Sequence, residues 1–371
     1  MDKVPLAKPF VGEEEAMAAA GVVRSGFLSL GPKLDEFEKN FREFIGTKHA
    51  VAVNSGTSGL EICIKALNLK KGDEVITTSF SFVASSNPVV LENAKPVFID
   101  IDEKTYNMDI SKVKQAVNKK TKAIMAVHIF GQPLDVEALI EAAPEAAIIE
   151  DACEAPGAQF NGRMAGKFGK AAVFGFYPNK QITTGEGGMI VTDCDEMAKV
   201  LRSLRNQGRD DCGEWLNHVR LGHNYRLDEM SCAVGIEQLK KINTILKLRK
   251  ELADKYTNRF KDVKGLVVPY TDPRVKRSWW VYYLRAEEGY NRNKIIGYLN
   301  EQGISSRGYF DPPIHLQPIY RNLFGYRGGE LPVTEKVSKS GFIIPFFIGM
   351  TEEQIERVCI TVCEAVRRAK I

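Results

Sequence analysis

Ala50-Val51-Ala52-Val53-Asn54-Ser55-Gly56-Thr57-Ser58-Gly59-Leu60-Glu61-Ile62-Cys63-Ile64-Lys65-Ala66-Leu67 is the stretch on which the fold turns. Its first four residues, small or β-branched, read as a short strand buried on both faces. Leu60, Cys63, Ile64 and Leu67 then recur at the i, i+3, i+4, i+7 spacing of a buried helical stripe, with Thr57 or Ser58 placed to cap its start. A strand that passes into a helix through glycines and hydroxyl residues aims free backbone N–H groups and the positive helix end at one point, where a phosphate can bind. Every α/β protein also needs capped strand-to-helix turns, so this loop alone leaves phosphate cradle and plain cap both open. No Gly-Lys-Ser/Thr follows, and the glycine spacing is not that of a dinucleotide fold.

The same alternation continues outward. Glu74-Val75-Ile76-Thr77, Pro96-Val97-Phe98-Ile99, Ala123-Ile124-Met125-Ala126-Val127 and Ala147-Ile148-Ile149 are short strand-like runs separated by helical patterns. They predict an α/β fold with a mainly parallel sheet covered on both faces. A chain of 371 residues is long for one core, so a large domain over 1–245, with an N-terminal segment 1–30, and a smaller α+β domain over 246–371 are expected. A helical pattern over 228–260 leads into the second domain. There 279–284 reads as a strand, 294–302 as a helix, and Thr351-Glu352-Glu353-Gln354 as a capping box opening a last helix with Ile355, Cys359, Val362 and Val366 on its buried stripe.

Charge and composition exclude several function classes. Lys plus Arg number 51 against 47 acidic residues, with no basic run interleaved with aromatics, which argues against a nucleic-acid partner. Met1-Asp2-Lys3-Val4-Pro5 does not begin a signal peptide, and no apolar run is long enough to span a bilayer, so no membrane partner and a cytoplasmic location are expected. Seven cysteines, at 63, 153, 194, 212, 232, 359 and 363, form no CxxC pair, and the five histidines are dispersed. Neither a disulfide framework nor a metal site is expected.

Four positions could carry chemistry. Lys180 follows the apolar Phe174-Gly175-Phe176-Tyr177-Pro178-Asn179 and precedes Gln181-Ile182-Thr183-Thr184-Gly185-Glu186-Gly187-Gly188. A desolvated amine there can condense with an aldehyde, and the alternative is a lysine snorkelling from a strand end. Glu150-Asp151 puts acid at the carboxyl edge of the sheet, either to cap a helix or to pair with a protonated ring nitrogen. Phe80 or Phe82 either stacks on a flat ring or joins the core. In the order Thr57, Phe82, Asp151, Lys180, these signals share one economical explanation: phosphate cradle, ring stack, pyridinium partner and Schiff-base lysine of a pyridoxal 5'-phosphate enzyme.

Ser55-Gly56-Thr57-Ser58, Glu150-Asp151-Ala152-Cys153-Glu154-Ala155, Phe176-Tyr177-Pro178-Asn179-Lys180, Thr184-Gly185-Glu186-Gly187-Gly188 and Gly222-His223-Asn224-Tyr225-Arg226-Leu227 resemble the DegT-type nucleotide-sugar aminotransferases. Gly31-Pro32 with Phe37-Glu38, and Pro312-Pro313-Ile314-His315-Leu316-Gln317-Pro318, extend the likeness over nearly the whole chain. The resemblance implies the aspartate-aminotransferase fold (fold type I), a homodimer with shared active sites, a nucleotide-linked keto sugar as acceptor and L-glutamate as donor. It implies that Lys180 binds the cofactor aldehyde, that Asp151 meets the pyridinium nitrogen and that Phe82 stacks on the ring. Gly56, Thr57 and Ser58 would hold the phosphate, Glu154 would lie near the phenolic oxygen, and Asn224 would reach the phosphate in the partner's site. His315 would contact the sugar or its phosphates unless it is a capping or packed histidine, and Arg226 and Arg307 are candidates for the pyrophosphate or the donor carboxylate.

Two departures from the family pattern matter. Glu154 stands where many members have Gln or His, which resembles the perosamine-synthase subset and points to a 4-keto-6-deoxy sugar, with a 3-keto sugar as the alternative acceptor. Gly175 stands where a serine commonly donates to the cofactor phosphate. Three other readings compete with amino transfer. A related dehydratase has histidine in the lysine's place, which Lys180 argues against. A regulatory relative would bind the cofactor without turnover. A reductase could use Gly185-Glu186-Gly187-Gly188 for a dinucleotide, but Ile190 stands where the third fingerprint glycine belongs.

Overall fold

The structure is a computed structural model that describes residues 2–210 and 216–371; Met1 and Cys212 lie outside them. Helices α1 (Glu13–Ser25) and α2 (Pro32–Ile45) precede β1 (His49–Val53). The alternation read from the sequence follows: α3 (Gly56–Ala66), β2 (Glu74–Thr78), α4 (Asn87–Leu91), β3 (Lys95–Ile99), α5 (Ile110–Ala116), β4 (Thr121–Val127), α6 (Val136–Ala142) and β5 (Ala147–Asp151). Two short strands, β6 (Gln159–Phe160) and β7 (Arg163–Met164), come before β8 (Ala171–Gly175), β9 (Gly188–Thr192), α7 (Asp195–Arg205), α8 (Glu229–Lys240) and α9 (Ile242–Phe260). The remainder comprises β10 (Leu266–Val267), β11 (Val275–Lys276), β12 (Tyr282–Ala286), α10 (Arg292–Glu301), α11 (Pro318–Phe324), α12 (Pro332–Ser340), β13 (Gly341–Ile344) and α13 (Glu352–Arg368).

The main sheet has the order β1-β9-β8-β5-β4-β2-β3, and only β9 runs antiparallel to its neighbours. β8 and β9 are absent from the strands expected above. Both are buried at every position and are bounded by glycine, so they lack the polar alternation that marks a half-exposed strand. The turn Gly185-Glu186-Gly187-Gly188 therefore runs into a strand, whereas a dinucleotide fingerprint opens a helix. Because β1, β2, β5 and β8 are parallel in direction, the loops that leave them meet at one edge of the sheet, the place where open α/β folds build sites.

Ser55, rather than Thr57 or Ser58, caps α3: its extended backbone starts the helix one residue later, and its Oγ accepts from the Ser58 N–H at 3.0 Å. The earlier start leaves Thr57 in the first turn with an exposed side chain. The helical pattern over 228–260 breaks at Lys241, which ends α8 and begins α9. Helix α9 runs through residue 245 and joins two cores, with Ile242 and Ile245 packing under the main sheet and Leu252, Ala253, Tyr256 and Phe260 packing with the β10-β12-β13 sheet and α13. The capping box at Thr351 and Gln354 and the buried face of α13 are as expected. The strand expected at 279 begins at Tyr282, because Trp279 and Trp280 spend their backbone carbonyls on the Arg249 guanidinium. Among the described residues all cysteines are free, and no helix is long and apolar enough to cross a membrane.

Candidate active site

A cavity of ≈ 530 Å³ opens at the carboxyl edge of the main sheet. Ser55, Gly56 and Thr57 enter it from the start of α3, Phe82 from the loop after β2, Asp151, Cys153 and Glu154 from the loop after β5, and Tyr177 and Lys180 from the loop after β8. Trp280, Arg307, Tyr309 and Phe310 close it from the C-terminal part of the chain.

Lys180 Nζ lies 3.9 Å from Glu154 Oε1 and 3.8 Å from the centre of the Trp280 ring. Burial pushes the Glu154 carboxyl up to about 7, with the Lys180 charge and the Phe130 N–H opposing it. Between its ordinary value and 7, the folded chain holds a proton that the unfolded chain has lost, so this group reduces stability as pH rises through that interval. In the cofactor-free protein Glu154→Gln should therefore gain up to about 3 kcal/mol over the parent at pH 8 and almost nothing near pH 5. Thermal melts at the two pH values check this, and an equal gain at both would refute it.

Asp151 and Glu150 point to opposite faces, as neighbours on a strand must. Asp151 is 6% exposed; its Oδ2 accepts from the Ser85 hydroxyl at 2.7 Å and its Oδ1 from the Cys153 N–H at 3.2 Å. Among the described residues no cation lies within ion-pairing distance of it. Glu150 is fully buried under the sheet and accepts from His128 Nε2, at 2.9 Å, and from the N–H groups of Gly166, Phe168 and Gly169. Neither acid caps a helix. Phe80 joins the core, whereas Phe82 is 62% exposed in the cavity wall, so the two aromatics divide between the two readings.

At the start of α3, Gly56 and Thr57 face the cavity and Ser58 does not. The Ser58 hydroxyl donates to Asn54 Oδ1 at 2.6 Å, and its N–H is spent on Ser55. Only glycine fits at 56, where a Cβ would come within 2.8 Å of Cys153 Sγ. A Cβ at Gly175 would meet Cys153 at 3.4 Å, an ordinary contact, so a serine there has room.

The remaining candidates separate. Arg307 is exposed in the cavity wall. Arg226 lies outside this chain's cavity and donates to Asn206 Oδ1 at 2.8 Å; burial and the neighbouring Arg209 and Arg205 pull its pKa down. Asn224 is exposed and also outside the cavity. His315 takes the packed alternative: it is fully buried, Nδ1 shares a hydrogen bond of 2.6 Å with the Ser79 hydroxyl, and Nε2 lies 3.2 Å from Glu335, so neither ring nitrogen is left for a sugar. Ser85, Trp280 and Tyr309 carry no motif signal. Ser85 was hidden because its role depends on a strand 66 residues away in sequence, and Trp280 because an aromatic run beside a strand reads as core.

The residues present fit pyridoxal phosphate. A buried carboxylate with two neutral donors and no cation, an amine within the same cavity and a helix start free of side chain at Gly56 are the donor set such a group needs. The model of the DegT/DnrJ/EryC1/StrS aminotransferase family matches residues 9–363. The chain belongs to that family. It is a sugar aminotransferase that uses pyridoxal phosphate and has the type I fold. SpsC of Bacillus subtilis, a spore coat polysaccharide biosynthesis protein, is 35% identical over 99% of this chain and 98% of its own length. GDP-perosamine synthase of Caulobacter vibrioides is 37% identical over 89% of each chain. Spr1654 of Streptococcus pneumoniae, solved in a PLP-form, superposes with a TM-score of 0.93 at 25% identity, over 99% of both chains. With this family established, the lysine at 180 separates the aminotransferase from the dehydratase expectation set out above.

Proposed function

We propose that the protein transfers an amino group from L-glutamate to the keto carbon of a nucleotide-linked 4-keto-6-deoxy sugar. The observation that carries this reading is Glu154, an acid placed 3.9 Å from the Lys180 amine, in a chain that resembles the Caulobacter synthase of a GDP-linked amino sugar. When bound, the cofactor supplies an electron sink for the carbon next to the transferred nitrogen. The chain supplies the rest. Lys180 would bind the cofactor and, once freed by the donor amine, would carry a proton to and from the reacting carbon. Asp151 would meet the ring nitrogen, Phe82 would cover one ring face, and Gly56 and Thr57 would hold the phosphate. Arg307, exposed in the wall, is placed for the acceptor's pyrophosphate or the donor's carboxylate.

A homodimer belongs to the same proposal. Phe10, Val11, Met17, Val23, Phe27, Leu28 and Leu30 are all exposed on the N-terminal segment, and Asn224 is exposed outside its own chain's cavity. A second copy would cover these apolar residues, and Asn224, free of its own cavity, is the residue proposed to reach the partner's cofactor site.

The test follows amino transfer from glutamate to a panel of nucleotide-linked 4-keto and 3-keto sugars. Discharge by 3-keto sugars alone moves the acceptor carbon; amination of the cofactor by glutamate with no discharge by any sugar rejects the acceptor class. A smaller change probes the phosphate end. Gly175→Ser should tighten pyridoxal phosphate roughly 10–100-fold, since a hydrogen bond to a charged group contributes about 1.5–3 kcal/mol. Fluorescence titration of the cofactor-free protein measures it, and an unchanged dissociation constant would mean the phosphate lies out of reach of residue 175.

A further inference from the structure

The free amine of Lys180 has a built resting place. Its Nζ is 3.8 Å from the Trp280 ring centre, while the nearest carboxylate oxygen, Glu154 Oε1, is at 3.9 Å and outside hydrogen-bonding range. The ring itself is fixed. Its Nε1–H donates to the carbonyl of Asn179 at 3.0 Å, its backbone carbonyl accepts from Arg249 at 3.2 Å, and Tyr309 stacks on it at 5.8 Å with 20° between planes. Arg249 donates as well to the carbonyl of Lys180 at 3.3 Å, and Gln181 Nε2 donates to the carbonyl of Ser278 at 3.0 Å. Residues 179–181 are thus tied to 278–280, so the backbone that carries the lysine and the ring that its amine meets are held together.

We propose that the face of Trp280 is the seat of the Lys180 ammonium in the cofactor-free chain. The proposal rests on the reading of Lys180 as the cofactor-binding amine. A tryptophan face attracts a cation most strongly when both are withdrawn from water, and a neutral amine gains almost nothing from it. The seat therefore holds the protonated amine at one fixed point beside the cavity. Of the charged neighbours, Glu154 keeps its Oε2 on the Phe130 N–H and leaves its Oε1 3.9 Å from the amine, too far for a hydrogen bond, and Asp151 is held by Ser85 and Cys153. Arg277 lies 4.1 Å over Trp279 and donates to the carbonyl of Phe130, leaving the Trp280 face to the lysine.

The test uses the full-length chain stripped of cofactor with hydroxylamine and acylated with acetic anhydride. Lys180 labelling is read by peptide mass spectrometry against the exposed Lys247. At about pH 8, Trp280→Leu should label roughly tenfold faster at Lys180 than the parent, and Trp280→Phe roughly 2–3-fold faster, since phenylalanine is the weaker cation acceptor. The difference should narrow to roughly threefold near pH 11, where free lysine amines are mostly neutral and a tenfold-favoured ammonium is only beginning to lose its proton. Equal acceleration at every pH would show that the ring only screens the amine, and no acceleration in either variant would show no seat; both overturn the proposal. Trp280→Phe carries the test by itself if the leucine variant does not fold. Borohydride reduction of the cofactor-loaded parent is run alongside. A pyridoxyl adduct on another residue refutes the role of Lys180 without touching the labelling result.

Discussion

Lys180→Ala should lower amino transfer by at least about 10³-fold, because a positioned acid–base group contributes about 10²–10⁴ and the proposed role has the same residue bind the cofactor as well. No other amine can take over. Among the described residues lining the cavity, the only other strong base is the Arg307 guanidinium, which does not release its proton in proteins. The variant should still bind pyridoxal phosphate, since Gly56, Thr57, Asp151 and Phe82 are untouched, but borohydride should no longer fix it to the chain. A small exogenous amine should restore part of the rate by standing in for the lost proton carrier. The measurement is single-turnover amino transfer with glutamate, with and without ethylamine. A variant retaining a tenth of the parent rate would remove Lys180 from the chemistry.

The fold was legible where one physical signal dominates. β1 through β5 are short β-branched runs between helices, and Leu60, Cys63 and Ile64 keep a helical stripe that tertiary contacts have no reason to override. β8 and β9 were lost because a strand buried on both faces has no alternation to read. The site was legible in so far as its residues sit in local turns: Gly56, Thr57, Phe82, Asp151, Glu154 and Lys180 reach one cavity through strand-to-loop junctions that sequence can place. The contributions that sequence could not place come from pairings across the fold. Ser58 turned inward because Asn54 and Ser55 took its hydroxyl and N–H, a local choice of partner that no pattern encodes. His315 was drawn into the core by Ser79, 236 residues away, and by Glu335.

Asp151→Asn should have opposite effects on activity and on stability, and that opposition is what tests its role. In the cofactor-free chain the Asp151 carboxylate is buried with a hydroxyl and an amide as its donors. Such a charge is costly without a cation, and asparagine keeps the shape while removing the charge. The cofactor-free variant should therefore melt higher than the parent at neutral pH. With cofactor bound, the proposed role has the same charge meet the ring nitrogen, which must stay protonated for the ring to accept electrons. Losing one partner of a buried charge pair costs about 3–5 kcal/mol, which at 1.36 kcal/mol per decade is a fall of roughly 10²–10⁴ in kcat/KM. Ser85→Ala removes only an orienting hydrogen bond and should cost less than about tenfold, in line with the ~1 kcal/mol of an ordinary hydrogen bond. If Asp151→Asn lowered the melting temperature of the cofactor-free protein and left turnover within tenfold of the parent, the acid would be a structural partner of Ser85. A stabilised apo chain with crippled turnover can arise only if the charge is kept for something that arrives with the cofactor.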